Sequence, residues 1–219
     1  MALPRTLLAA DSERDGSPLA DSSKRAAILK AATDSFLEVG FGAASMDAIA
    51  QRAHVSKATV YAHFSSKEEL FGTIVAERCR TAFGDEAPLL PDAPDVAGTL
   101  AQLGRRFVDL LVSPEGLAFY RLVVAESPRF PEIGRTFYAA GPERLYAQLA
   151  QYLEEADRRG WLGVKEPRLA AEQFLGMLKG EAFLKRILGL DAADPAALQH
   201  AIDAAVAVIL KAYAKPPPA

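Results

Sequence analysis

Residues 45–71, Ser45-Met-Asp-Ala-Ile-Ala-Gln-Arg-Ala-His-Val-Ser-Lys-Ala-Thr-Val-Tyr-Ala-His-Phe-Ser-Ser-Lys-Glu-Glu-Leu-Phe71, constrain the fold more than any other stretch. They hold two very short amphipathic helical patterns separated by a tight turn, with a third helix starting directly behind. Ser45 is placed to cap the first pattern and Ser56 the second, because a serine hydroxyl can accept from the free amides of a first helical turn. Isolated helices shorter than roughly 12–15 residues do not hold in water, so both must pack on longer neighbours. The segment therefore requires a small helical bundle.

The surrounding sequence supplies those neighbours. Ile28, Ala32, Phe36 and Val39 recur at helical spacing and predict a helix over 23–39, stopped by Gly40. Met46, Ile49, Ala50 and Ala53 make one apolar face of the second helix. Ser65 with Glu68, and Ser66 with Glu69, are overlapping capping boxes for a fourth helix with the stripe Leu70, Phe71, Ile74, Val75, Cys79, Ala82 and Phe83. Gly84, Pro88, Pro91 and Pro94 break the chain after it. Beyond lie helical stretches over 95–112, 115–127, 131–158 with a break near Gly141-Pro142, 167–188 and 195–213, punctuated by Pro114, Pro128, Pro131 and Pro167.

The composition agrees with an all-α globular protein: half the residues are apolar, 24% are charged, and runs of β-branched and aromatic residues are missing. The expected organisation is a mobile tail (1–21), a three-helix helix-turn-helix bundle (22–71), a helical ligand-binding and dimerisation domain (72–214) and a frayed end (215–219). The single Cys79 excludes an intramolecular disulfide and suits a reducing cytoplasm. No uncharged run reaches the roughly 18 residues that would span a bilayer, and no secretory signal is read at the start, so a cytoplasmic protein with no membrane partner is expected.

Net charge is −3, which does not advertise a nucleic-acid binder. The bundle differs: Lys24, Arg25, Lys30, Arg52, Lys57 and Lys67 stand against Asp34, Glu38, Asp47, Glu68 and Glu69, leaving it slightly basic. Packing of the third helix should use Val55, Ala58, Val60 in part and Phe64. That would leave Lys57, Thr59, Tyr61 and His63 outward, a set suited to a polyanion. The alternative is an ordinary three-helix bundle.

The ordered positions Ile49-Ala50, Val55-Ser56, Thr59-Val60-Tyr61-Ala-His63-Phe64 and Lys67-Glu68-Glu69-Leu70, preceded by Ile28-Leu29-Lys-Ala31-Ala32 and Phe36-Leu-Glu38-Val-Gly40-Phe41, resemble the TetR family of transcription regulators over residues 23–71. The resemblance implies that Ser56, Lys57, Thr59, Tyr61 and His63 contact double-stranded DNA, and that Ser45 and Lys67 meet phosphates. The family usually has Gly where this chain has His54, a turn position that often needs a left-handed backbone. Phe119-Tyr120-Arg121-Leu122, Ala125 to Pro131, Phe137-Tyr138 and Gly160-Trp161-Leu162 are similar to the AefR-type ligand domain of that family.

Phe107, Phe119, Phe137, Tyr138, Trp161, Phe174 and Met177 are candidates for lining an apolar cavity for a small apolar or amphipathic effector, with ordinary core packing as the alternative. Leu198, Ile202, Ala205, Val206, Ile209, Leu210 and Tyr213 form a stripe at helical spacing, and Gly176 and Gly180 permit close helix approach. The resemblance implies a four-helix homodimer interface there, with Gly176, Gly180, Phe183, Ile202, Val206 and Ile209 as its residues; an internal core is the other reading. Cys79 reads as a buried structural thiol. No catalytic constellation, cofactor motif or Cys/His metal cluster appears: Gly40-Phe-Gly42 follows a helical pattern and lacks the third glycine of a dinucleotide loop. The expected function is thus a ligand-responsive, DNA-binding repressor acting as a homodimer. The alternatives are an activator, or a small-molecule binding protein without DNA function.

Overall fold

The computed structural model describes residues 18–84, 95–190 and 194–215, with side chains from residue 21 onward. The rest of the expected tails and of the Pro-rich break after Gly84, and residues 191–193, lie outside the described residues. Within them the chain forms eleven α-helices: α1 (Pro18–Ala43), α2 (Met46–Arg52), α3 (Lys57–His63), α4 (Lys67–Phe83), α5 (Val96–Val112), α6 (Pro114–Glu126), α7 (Pro131–Ala140), α8 (Pro142–Arg158), α9 (Pro167–Leu178), α10 (Glu181–Ile187) and α11 (Pro195–Ala212). The all-α expectation is met.

Local chemistry sets most boundaries. Ser45, Ser56 and Ser66 each occupy an N-cap and accept from the backbone amide three residues on. Proline stands at the first turn of α6, α7, α8, α9 and α11, where its missing N–H costs nothing. Two boundaries differ from expectation. α1 begins at Pro18, five residues before the expected start, and continues past Gly40, which bends it with φ 83° and ψ 164°. The stretch 167–188 is two helices, because Gly180 (φ −25°, ψ −158°) leaves helical geometry between α9 and α10.

Two hydrophobic clusters organise the molecule. The first holds Ile28, Ala32 and Phe36 of α1, Ile49 of α2, Val60 of α3 and Leu70, Phe71, Ile74 and Val75 of α4. It also takes Phe119 and Val123 from α6 and Ile133 from α7, so the core of the bundle runs on into the second half of the chain. Val39, expected on the buried stripe of α1, is instead 52% exposed. The second cluster joins α5, α8, α9 and α11 around Leu100, Leu149, Leu153, Phe174 and Ile209. α4 bridges the two: its first turns pack on the bundle, and Phe83 at its end packs on the second cluster.

That second cluster corrects the assignment of Ile202, Val206 and Ile209 to a subunit surface. All three are buried in their own chain, as is Phe183. Their larger side chains find apolar partners on α5 and α9, and Ile202 closes against Gly104. The side of α11 that stays exposed carries Ala197, Ala201, Ala204 and Val208. On neighbouring α9 the exposed positions are Leu169, Glu172, Gln173 and Gly176, with Gly180 just beyond its end. A Cβ added at Gly176 would meet nothing within 4 Å.

Candidate nucleic-acid interface

α2 and α3 are seven residues each, and several contacts fix them as a unit. Ala53 ends α2, and the chain turns through His54 with φ 55°, the one left-handed non-glycine among the described residues. The His54 amide donates to Gln51 O, and the Val55 amide to Ala50 O. This paired bonding is a Schellman turn, which satisfies the last carbonyls of α2 and aims the chain into Ser56. The His54 side chain itself is exposed. Lys57 then reaches back to Asp47 in the first turn of α2, 2.8 Å away, and this carboxylate holds the Lys57 ammonium above its ordinary range.

The third helix presents a face one step round from the expected one. Val60 is wholly buried and Phe64 nearly so, whereas Lys57, Ala58, Tyr61 and Ala62 are exposed. Ala58 was expected inside; it lies outside because Val60 and Phe64, four apart, define the buried side. Thr59 and His63, expected outward, sit at the flank. Thr59 Oγ1 bonds Ser56 Oγ at 2.8 Å. The His63 side chain is 12% exposed, with Nε2 3.3 Å from Asp21 of α1. Tyr61 remains 47% exposed, its ring 5.9 Å from the Lys57 ammonium. Ser45 and Ser56 are exposed at their caps.

Lys67 departs furthest from the expected phosphate role. Its ammonium turns inward to donate to the carbonyls of Phe41, Gly42 and Ala44. It also lies 4.6 Å from the Phe41 ring centroid and 5.9 Å from that of Phe130. Phe41 and Gly42 stand in the last turn of α1 and Ala44 just beyond it, so their carbonyls lack a helical donor, and a cation with three donors is a good partner for them. Behind it, Ser65 donates to Glu69 through both amide and hydroxyl, which lowers the Glu69 pKa. Arg25 of α1 pairs with Glu77 of α4 and stacks over Phe64, clamping α3 from behind. α3 is thus held from behind through Val60 and Phe64, and its outer face carries Lys57, Ala58, Tyr61 and Ala62.

A cavity of about 90 Å³ lies against α4 in the second half of the chain. Phe107, Phe119 and Phe137 line it as expected. Tyr138 does not: it is exposed beside Glu143 and Arg168. Phe174 is wholly buried in the second cluster, Met177 packs at that cluster's edge, and Trp161 stacks under Arg159. Periodicity marks a residue as inward without saying which inner space it meets. The walls missed from sequence include Val75, Cys79 and Phe83, the inner stripe of α4 itself, and Tyr120 and Tyr146. Cys79 is part-buried, and burial raises its thiol pKa against the opposing pull of Arg78 and Arg144.

Known proteins share both halves of this arrangement. Residues 28–74 match the tetR family of bacterial regulatory proteins, and residues 98–215 match the AefR-like transcriptional repressor C-terminal domain. The Flavonoid-responsive Regulator FrrA is 38% identical, with a TM-score of 0.75 over 90% of this chain and 100% of that one. A TetR-family regulator from Mesorhizobium loti is 34% identical, also at a TM-score of 0.75, over 88% of this chain and 98% of that one. An HTH-type regulator of Bacillus subtilis, YdeS, is 29% identical over 77% of this chain and 80% of its own length. The HTH-type transcriptional activator FasR of Mycolicibacterium smegmatis is 47% identical, but the match spans only 28% of either chain. The chain belongs to the TetR family of transcription regulators: it is a DNA-binding regulator built from a helix-turn-helix head and an AefR-like C-terminal domain.

Proposed function

We propose that this protein is a repressor that binds a palindromic operator as a homodimer and is released by a small molecule. The observation that carries the DNA reading is the outward face of α3, where Lys57, Ala58, Tyr61 and Ala62 stand exposed on a helix otherwise braced from behind. Lys57 with the Ser45 and Ser56 hydroxyls suits phosphate contact. Tyr61 and the two alanine methyls suit base edges, including the thymine methyl. Thr59 and His63 support this face from its flank, and Lys67 from within.

The adjoining exposed sides of α9 and α11 support the homodimer. Small residues such as Ala201, Ala204 and Gly176 let partner helices approach closely, and Leu169 and Val208 supply apolar area. A two-fold axis through them would set the two reading helices about 34–36 Å apart, one turn of DNA. The similarity to a flavonoid-responsive regulator and to the AefR-like repressor domain supports ligand response and negative control. The ligand must favour the conformation that does not bind DNA, or it cannot release the operator. Selection of genomic fragments by the full protein, followed by gel shift with wild type and Tyr61→Ala, tests this reading. Retained fragments that shift with wild type and fail with Tyr61→Ala support it; no selective retention would refute it.

A further inference from the structure

The cavity against α4 has a charge pattern that its apolar walls conceal. Among the described residues its lining includes Arg78 and Lys179 and no Asp or Glu. A neighbouring cleft of about 310 Å³ shares Cys79, Phe83, Gly141 and Leu145 as walls, adds Arg80 and Arg144, and has no Asp or Glu among the described residues that line it. Elsewhere this chain pairs its cations readily, as Arg25, Arg52, Lys57, Arg158 and Arg168 show. Among the described residues, neither Arg78, Lys179 nor Arg144 has an ion pair. Arg78 lies over the Phe119 ring, 5.3 Å from its guanidinium carbon, and on its outer side borders a groove that also carries Glu77, Asp109 and Glu115. Two cations, Arg78 of α4 and Lys179 at the end of α9, thus line the aromatic cavity with no described carboxylate on its walls, while Arg144 of α8 lines the adjoining cleft.

We propose that this site takes an amphipathic monoanion, with an apolar body among Phe107, Phe119 and Phe137 and a carboxylate-type head held by Arg78 and Lys179, with Arg144 in the adjoining cleft. The assignment rests on the reading that this domain binds an effector, and names the effector's chemistry. An anion entering apolar surroundings must recover its lost hydration through charge-assisted bonds, which a guanidinium and an ammonium supply. A neutral analogue gains only the apolar burial, and a cationic one meets like charges. The cavity alone, at about 90 Å³, is smaller than the 150 Å³ space known to hold benzene, so the ligand must use the shared wall toward the cleft. Gly141 sits at that wall, where a Cβ would lie 3.2 Å from Val75 and 3.3 Å from Cys79, so widening it displaces α4 from the α7–α8 corner. Arg78 is also on α4, eleven residues after Lys67, about 16 Å along the helix. A head group drawn between Arg78 and Lys179 therefore pulls on the helix that begins in the DNA-binding head.

The test is calorimetric titration of the full chain at pH 7 with 3-phenylpropanoate, 3-phenylpropan-1-ol and 3-phenylpropylamine, which share one body and differ in head charge. The acid is expected to bind at least about tenfold tighter than the alcohol, and the amine weakest. Arg78→Gln and Lys179→Gln should each weaken the acid by about fivefold or more while leaving the alcohol unchanged, which also reports that the variants fold. Arg78→Lys should keep most of the preference. Equal or tighter binding of the alcohol, no binding of any of the three, or an acid preference unaltered in both glutamine variants would overturn the assignment. Operator release is scored separately by gel shift with the acid. Acid binding without release would leave the ligand class standing and refute ligand-controlled repression instead.

Discussion

Glu126 Oε2 accepts a hydrogen bond from the Gly42 amide at 2.9 Å, tying the last turn of α6 to the bend in α1. The contact is one part of a joint between the DNA-binding head and the ligand domain. A Cβ at Gly42 would stand 2.7 Å from the Phe130 ring, and Phe130 packs edge-on against Phe41 at 5.9 Å. Lys67 completes it by donating to the carbonyls of Phe41, Gly42 and Ala44. Glu126→Ala would leave a part-buried amide without an acceptor. A loss of about 1–3 kcal/mol in urea denaturation is expected, with Glu126→Gln losing less because it keeps an acceptor oxygen. Equal stability of wild type and Glu126→Ala would mean that the bond is replaced by water at no cost.

Lys67→Met removes the cation that gathers the carbonyls of Phe41, Gly42 and Ala44. The melting temperature should fall, since these part-buried acceptors lose their partner. A variant that melts like wild type yet binds operator weakly would return Lys67 to a direct phosphate role.

His54→Gly should raise the melting temperature by a few degrees. The residue holds φ 55°, which glycine adopts without the Cβ penalty, and its side chain is exposed. A gain approaching 1 kcal/mol corresponds to about 2–4 °C for a chain of this size, less whatever glycine's extra unfolded freedom takes back. A lower melting temperature would show that the imidazole contributes in its own right.

The Cys79 thiol is held protonated by burial, so at pH 7 it should react with a disulfide reagent far more slowly than a free thiol and react fully only on unfolding. Its folded pKa is raised above the ordinary value of 9.0, so its contribution to stability is present below that value. That contribution is lost as pH rises from there through the folded pKa. Cys79→Ala should flatten this alkaline decline. An unchanged decline would assign it to other groups.

Much of the fold was legible because its boundaries depend on local chemistry. Ser45, Ser56 and Ser66 cap whichever helix follows them, Asp95 caps α5, and Pro114, Pro131, Pro142 and Pro195 each open one, so α5 to α8 and α11 fall within a residue or two of expectation. What depends on packing was harder to read. Seven residues make barely two turns, so the phase of α3 was ambiguous by one step, which exchanged Ala58 with Thr59 and His63. Nothing local announces that the end of α1 presents its carbonyls to Lys67. α11 is apolar on both sides, with a mean hydropathy of 1.2 over its 18 residues. Only its neighbours decide that Ile202, Val206 and Ile209 turn inward and Ala197, Ala201 and Ala204 outward. The cavity was half legible: its phenylalanines were recognisable, but α4 as its wall was not.

The most direct test of the central claim is operator affinity, measured by fluorescence anisotropy on a selected genomic fragment for wild type and Tyr61→Ala across a salt series. For wild type, log affinity should fall steeply and linearly with log salt. Tyr61→Ala should lose specific binding, with circular dichroism and oligomeric state unchanged. A flat salt response, or a folded Tyr61→Ala that binds the same fragment as tightly as wild type, would contradict that claim.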